Sequence, residues 1–189
     1  MNYWMFINID TLGMMENAAI LSMGLLKIDF DILCNPKIKD FDYHALYNAG
    51  INIKFDLQEQ ILTRVLDKAT LNYWNSKTNT KILEGKDRIP LKDGYKIICD
   101  YASDFKPSDG RVVSRGFCDQ KWWINFVDHT LMKKDNIFPH WCWSDLRTIS
   151  DLLSMDSNIK STHTDNYTSL HDCVCDAMHL QKVIRNYLR

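Results

Sequence analysis

Asn8 and Asp10 stand two residues apart in the run Met5-Phe6-Ile7-Asn8-Ile9-Asp10-Thr11-Leu12-Gly13. Side chains alternate between the faces of a strand, so both oxygen-bearing groups point one way while Ile7 and Ile9 point the other. A strand end that aims two oxygen ligands in one direction supplies half of a two-metal site. Further polar positions fall at predicted strand ends or helix starts: Asp119, Asp145 and the pair His171/Asp176. Carboxylates gathered from distant elements repel one another unless a cation joins them. Hard oxygen donors of this kind suit magnesium or manganese better than zinc. Each residue alone also has an ordinary role. An aspartate at a helix start caps it or meets its dipole, and a histidine is often a surface or satisfied core residue. His171 and Asp176 are five apart, which on a helix separates them by roughly 140°. They share a face only if His171 lies in the loop just before the first turn.

The elements that must position these groups follow from periodicity. Ala18 to Ile28 is a near-continuous apolar run, suited to a second strand antiparallel to the first and buried on both faces. Phe41 to Ile53 is expected to carry a third strand, broken at Asn48-Ala49-Gly50. Leu57, Ile61, Leu62, Val65 and Leu66 fall at three-and-four spacing, which predicts a helix over 56–77. Thr70 is the expected N-cap of a short second helix bearing Leu71, Tyr73 and Trp74. A short helical turn is expected around 81–83. Pro90 to Phe105 reads as a helix with Leu91, Tyr95, Ile98, Cys99 and Ala102 inward, closed by the Lys106-Pro107-Ser108-Asp109-Gly110 turn. Arg111 to Gly116 is a fourth strand. Asp119 opens a helix over 120–132. A fifth strand or extended piece spans Ile137 to Trp143, helix follows over 146–155, and a polar loop occupies 156–168. The last helix starts at Ser169 or Leu170 and runs to Leu188. A meander followed by helix–strand alternation predicts an α/β fold around one mixed five-stranded sheet flanked by helices.

A chain of 189 residues with 46% hydrophobic content is expected to form one domain, residues 1–189, with a real core. The net charge of -1 excludes a global attraction to polyanions, so nucleic acid would need a local groove with cations offsetting its phosphates. The first ten residues lack the basic start of a secretory leader, and no stretch is long and apolar enough for a membrane span. Of Cys34, Cys99, Cys118, Cys142, Cys173 and Cys175, the last two form a C-x-C pair, a weak zinc signal. Reduced thiols in a cytoplasmic protein are the expectation.

Taken in order, the motifs resemble the DEDDh group of 3′–5′ exonucleases, a superfamily with an RNase H-like fold, and its phage members in particular. Asn8-Ile9-Asp10-Thr11-Leu12-Gly13 is similar to the opening D-x-E-T-L-G line, and Ala18 to Gly24 to the second strand. Ile51 to Leu57 and Ala69 to Trp74 are similar to phage segments. Ser114-Arg115-Gly116-Phe117-Cys118-Asp119 resembles the glycine-then-Phe-Asp motif, one residue shorter after the glycine. Asp119 is preferred over Gln120 as its ligand, because Trp122 and Trp123 then match the apolar helix positions. Asp145-Leu146-Arg147-Thr148 resembles an Asp-x-Arg-Thr segment, and His171 to Asp176 the closing His-x4-Asp motif.

The resemblance implies stepwise hydrolysis at the 3′ end of single-stranded DNA or RNA. Asp10, Asp119 and Asp176, with position 8, would hold two Mg2+ or Mn2+ ions about 4 Å apart, and His171 would be the general base. Thr11 and Leu12 would meet the terminal nucleotide, Leu12 as an apolar wedge. Tyr73 and Trp74 are either base-stacking residues or core. Arg115 and Arg147 either contact phosphate or make internal ion pairs, and Asp145 orders the site. Family members often pair as homodimers, and the phage likeness implies action in bacterial host cytoplasm. The first ligand of the family is the neutral Asn8 here and its Glu is the shorter Asp10, so metal binding should be weak. The alternative reading is a catalytically dead exonuclease fold that binds nucleic acid or a protein partner. A third is an unrelated α/β protein with chance motif matches.

Overall fold

The structure is a computed structural model that describes residues 2–76, 87–132, 136–153 and 168–187. Its centre is the first strand, β1 (Tyr3–Thr11). The hairpin partner β2 (Ile20–Asp29) runs antiparallel to it, pairing Asn8 with Gly24 and Asp10 with Ser22. On the far side of β2 lie β3 (Ile51–Phe55), antiparallel, and β4 (Arg88–Ile89), parallel to β3. On the other side of β1 lie β5 (Arg111–Ser114) and β6 (Trp143–Asp145), both parallel. The sheet order is β4-β3-β2-β1-β5-β6. Six strands replace the expected five; β4 has two residues, too few to leave any periodicity in the sequence.

Alternation along β1 sorts the core into two layers. Met5, Ile7 and Ile9 face the helix α4 (Leu91–Tyr101), through Tyr95 and Ile98, and the helix α5 (Phe117–Ile124), through Trp122 and Trp123. Phe6, Leu26 and Val113 face the last helix, α7 (Ser169–Tyr187), through Leu170, Val174, Ala177 and Leu180. Asn8 and Asp10 share the parity of Phe6 and so belong to the α7 side. Between these elements come α1 (Phe30–Cys34), α2 (Tyr43–Ala49), α3 (Lys68–Ser76) and α6 (Leu146–Leu152).

Several expectations are corrected. Residues 57–64 form turns, not helix. Gln60 is fully buried, accepts from the Ile20 N–H and donates to the Ile20 carbonyl, and the Arg64 Nε donates to the Ala18 carbonyl. These side-chain bonds pin the segment beside β2, while Leu62 is 93% exposed. The cap of α3 is Asp67, which accepts from the backbone and hydroxyl of Thr70. Tyr43–Ala49 is helix, capped by Asp42, before β3 begins at Ile51. Ahead of β6, His140–Cys142 makes a single tight turn, and α5 widens into a π-helix over Asn125–Thr130. The expected turn at 81–83 and the loop over 156–168, save its last residue, lie outside the described residues.

Candidate active site

The site forms where β1 outlasts its parallel neighbour. β5 pairs with β1 only through Trp4, Met5 and Phe6, so the last residues of β1 have no strand on that side. The carboxylate of Asp119 fills the gap, accepting the Ile9 backbone N–H at 2.8 Å. Gly116, at φ +118°, makes this possible: left-handed backbone favours glycine, and it turns the chain straight from β5 into α5. Asp119 thus sits in the first turn and is 5% exposed, whereas the Gln120 amide donates outward to the His140 carbonyl.

Asp10 is held from three elements. Its Oδ2 accepts from Ser169 at 2.6 Å and from Ser22 at 3.1 Å, and its Oδ1 accepts from the Asn8 amide at 3.3 Å. Ser22 is the cross-strand neighbour of Asp10. Ser169 reaches it because Gly24 lets the start of α7 lie directly on β2. A Cβ at Gly24 would come within 2.2 Å of the Ser169 and Leu170 backbone. Neither serine carried a readable signal, since strand register and helix docking placed them.

Asp176 is 1% exposed on the inner face of α7. The Arg115 Nε donates to its Oδ1 at 2.9 Å and Nη2 donates to the same oxygen. Asp172, one helical turn earlier, lies 3.8 Å from the same Nη2. Its spacing of four from Asp176 was the available sequence signal for this overlooked carboxylate. His171 is in the first turn of α7, not the loop before it, which puts it on a different face. Its Nδ1 is 2.7 Å from the Tyr43 hydroxyl and its Nε2 3.5 Å from the Cys175 thiol.

The three carboxyls share one electrostatic neighbourhood. Burial pushes Asp119 up to about 8, with the Ile9 N–H opposing and Asp176 and Asp10 adding to the rise. Burial takes Asp176 up to about 7 against the pull of Arg115. Burial takes Asp10 up to about 6, restrained chiefly by Ser169 and pushed further by Asp172. Carboxyls that ionise reluctantly because no solvent reaches them fit a hard divalent cation in chemistry. Even so, no three His, Cys, Asp or Glu side chains among the described residues are grouped closely enough to hold one ion together. Each carboxylate turns instead to a donor of the protein: a backbone N–H, two serines, a guanidinium.

Beside Asp10 opens a cavity of about 510 Å³, lined among others by Thr11, Met14, Thr70, Tyr73, Trp74 and Trp122. Tyr73 is 49% exposed there, while Trp74 is buried and donates from Nε1 to the Thr11 carbonyl at 3.0 Å. Leu12 does not take the expected wedge position. It is fully buried with Ala19, Leu21 and Trp74 because its N–H and carbonyl are tied to Ala19 and Asp67, and Met14 lines the cavity instead. Asp145 caps α6, accepting from the Arg147 N–H and the Thr148 hydroxyl, and Arg147 is close enough to Asp176 to help hold its carboxyl down.

No family model matches the chain. An exodeoxyribonuclease of Enterobacteria phage T4 is 26% identical over 115 residues, covering 59% of this chain and 48% of that protein. The match thus spans about half the length of the curated relative. Among solved structures, the nuclease domain of 3′hExo, a DEDDh family member bound to rAMP, superposes with a TM-score of 0.55 at 11% identity, over 99% of this chain and 92% of that one. Pop2p of S. pombe, in its Mg2+- and Mn2+-bound form, gives 0.57 at 9% identity over 97% of this chain and 83% of that one. Cell-death related nuclease 4 (CRN-4) gives 0.54 at 11% identity over 98% of this chain and 64% of that one. The chain shares the RNase H-like fold of these nucleases, and its sequence is similar to a phage exodeoxyribonuclease.

Proposed function

We propose that the chain is a metal-dependent 3′–5′ exonuclease of single-stranded nucleic acid whose activity in this sequence is held low by Asn8. One observation carries the reading. Asp10, Asp119 and Asp176 come from three distant parts of the chain to the open end of one strand, beside a cavity bearing exposed aromatic surface. The pair of magnesium or manganese ions implied by the resemblance would take these three carboxylates as ligands only once they part from the Ile9 N–H, the serines and Arg115 that hold them here, with Asn8 offering one neutral oxygen. Bound there, such ions supply Lewis-acid activation of a phosphodiester.

The chain's own residues do the rest. The cavity at Thr11 and Met14 receives the terminal nucleotide, with the buried Trp74 in its wall and Leu12 packed behind it. Tyr73 offers its exposed ring for base stacking, worth roughly 1–3 kcal/mol per base. His171 is the proton acceptor of the reading. Its Nδ1 stands 2.7 Å from the Tyr43 hydroxyl, which leaves Nε2 as the nitrogen to take the proton. Arg147 and Asp145 set the end of α6 against Asp176.

Restoring the carboxylate, Asn8→Asp, is expected to raise Mg2+-dependent shortening of end-labelled DNA or RNA oligonucleotides by orders of magnitude. Products that keep a 5′ label and lose a 3′ label establish the polarity. The second reading, an inert fold that keeps the groove for binding, is favoured by the neutral Asn8 itself. An Asn8→Asp form that binds oligonucleotide yet trims neither DNA nor RNA would establish it.

A further inference from the structure

The pair between Arg115 and α7 changes what the carboxylate cluster can accept. Arg115 follows the last residue of β5 and precedes Gly116, so its side chain leaves the end of that strand and reaches α7. Two of its nitrogens donate to one oxygen of Asp176, and Nη2 stands 3.8 Å from Asp172. The Asp176 side chain is 2% exposed and that of Asp172 14%, while Arg115 keeps 25%. One guanidinium therefore faces two carboxylates a helical turn apart, from the solvent side. It is permanently charged, because its proton is not lost in proteins. A buried carboxylate stripped of such a partner is strongly destabilising, so a divalent cation that takes Oδ1 of Asp176 must replace Arg115 there, and one that takes the other oxygen meets the guanidinium's charge beside it.

We infer that Arg115 is a built-in counter-ion that holds Asp176 and Asp172 where a divalent cation would bind, and so weakens the metal affinity of this chain. The inference rests on the reading of the cluster as a metal site. It also assigns Arg115 a role other than phosphate contact. Neutral Asn8 and the guanidinium act together: one subtracts a negative charge from the cluster and the other adds a positive one.

The test is Mn2+ binding to the full chain, read by calorimetry and by the electron paramagnetic resonance of free Mn2+, for wild type, Arg115→Gln, Arg115→Lys and Asp119→Asn. Arg115→Gln is expected to bind Mn2+ at least tenfold more tightly than wild type. Arg115→Lys, which keeps the charge, should stay within a few-fold of wild type. In thermal unfolding, Arg115→Gln without metal should melt lower than wild type and gain more from added Mn2+. If Arg115→Gln folds only with Mn2+, the ion is replacing the guanidinium and the inference holds. If it fails to fold even with Mn2+, or binds no more tightly than wild type, the inference is overturned. Equal Mn2+ binding in wild type and Arg115→Gln, lost in Asp119→Asn, would overturn it while leaving the metal site standing. Absence of Mn2+ binding in every form would overturn both.

Discussion

Asp119 shows how one carboxyl serves the fold before any chemistry. Its Oδ1 satisfies the Ile9 N–H at a point where β5 has ended and no strand can. An unsatisfied buried N–H costs about 1–3 kcal/mol. Asp119→Ala should therefore lose about 1–3 kcal/mol in urea unfolding without metal. Asp119→Asn keeps an oxygen acceptor and sheds a carboxyl that burial disfavours, so it should unfold at equal or higher urea. Equal stability of the two variants would refute this account. The residue types at 10, 119 and 176 were legible in order and spacing, because short motifs of polar residues after apolar runs stand out. Ser22, Ser169 and the true partner of Arg115 were not, because ordinary residues acquire such roles only when two distant segments meet.

At the scale of elements, β1 and α7 carry the site between them. Gly24, in β2 opposite Asn8 of β1, is where α7 docks: the start of α7 sits where a side chain at 24 would be. Gly24→Ala should force α7 away from β2 and cost about 1–3 kcal/mol or more, as overpacking does. It should also detach Ser169 from Asp10, and a lowered melting temperature together with weaker Mn2+ binding would register both effects. A variant indistinguishable from wild type in both measurements would remove this joint from the account. The strands β1, β2 and β5 and the helices α4 and α7 were readable, since each buries a face of consistent period. The region 57–64 was not. Its apolar spacing of three and four mimicked a helix, but Gln60 and Arg64 bind the backbone at Ile20 and Ala18 and override the pattern. Local periodicity is a weak signal wherever buried polar side chains decide the path.

For the molecule as a whole, the buried cluster ties stability to pH. Burial pushes the carboxyls of Asp10, Asp119 and Asp176 up from an ordinary 3.8 to about 6, about 8 and about 7. Across that window the folded form keeps protons that the unfolded form has released, so stability falls as pH rises from about 4 to about 8 and then levels. Asp172 adds to the rise at Asp10 and Asp176, while Arg115 and Arg147 oppose it at Asp176. With a chelator present, the melting temperature should be several degrees higher near pH 5.5 than near pH 8.5, at about 2–4 °C per kcal/mol for this chain length. Saturating Mn2+ should shrink the difference, and Asp119→Asn should flatten the chelator profile. A chelator profile that rises toward pH 8.5 would contradict the burial of these groups.

The chain by itself determined the alternation of β1, the amphipathic faces of α4 and α7, and the identity of the polar residues that end them. Those follow from interactions between near neighbours, which a linear string records. Only the tertiary structure decided that β1 would outrun β5, that α7 would start on Gly24, and that His171 would face Tyr43 while Arg115 faces Asp176. Those outcomes depend on register and docking between segments from about sixty to well over a hundred residues apart. There, a rise of a single residue along a strand or a hundred degrees around a helix redirects a side chain entirely.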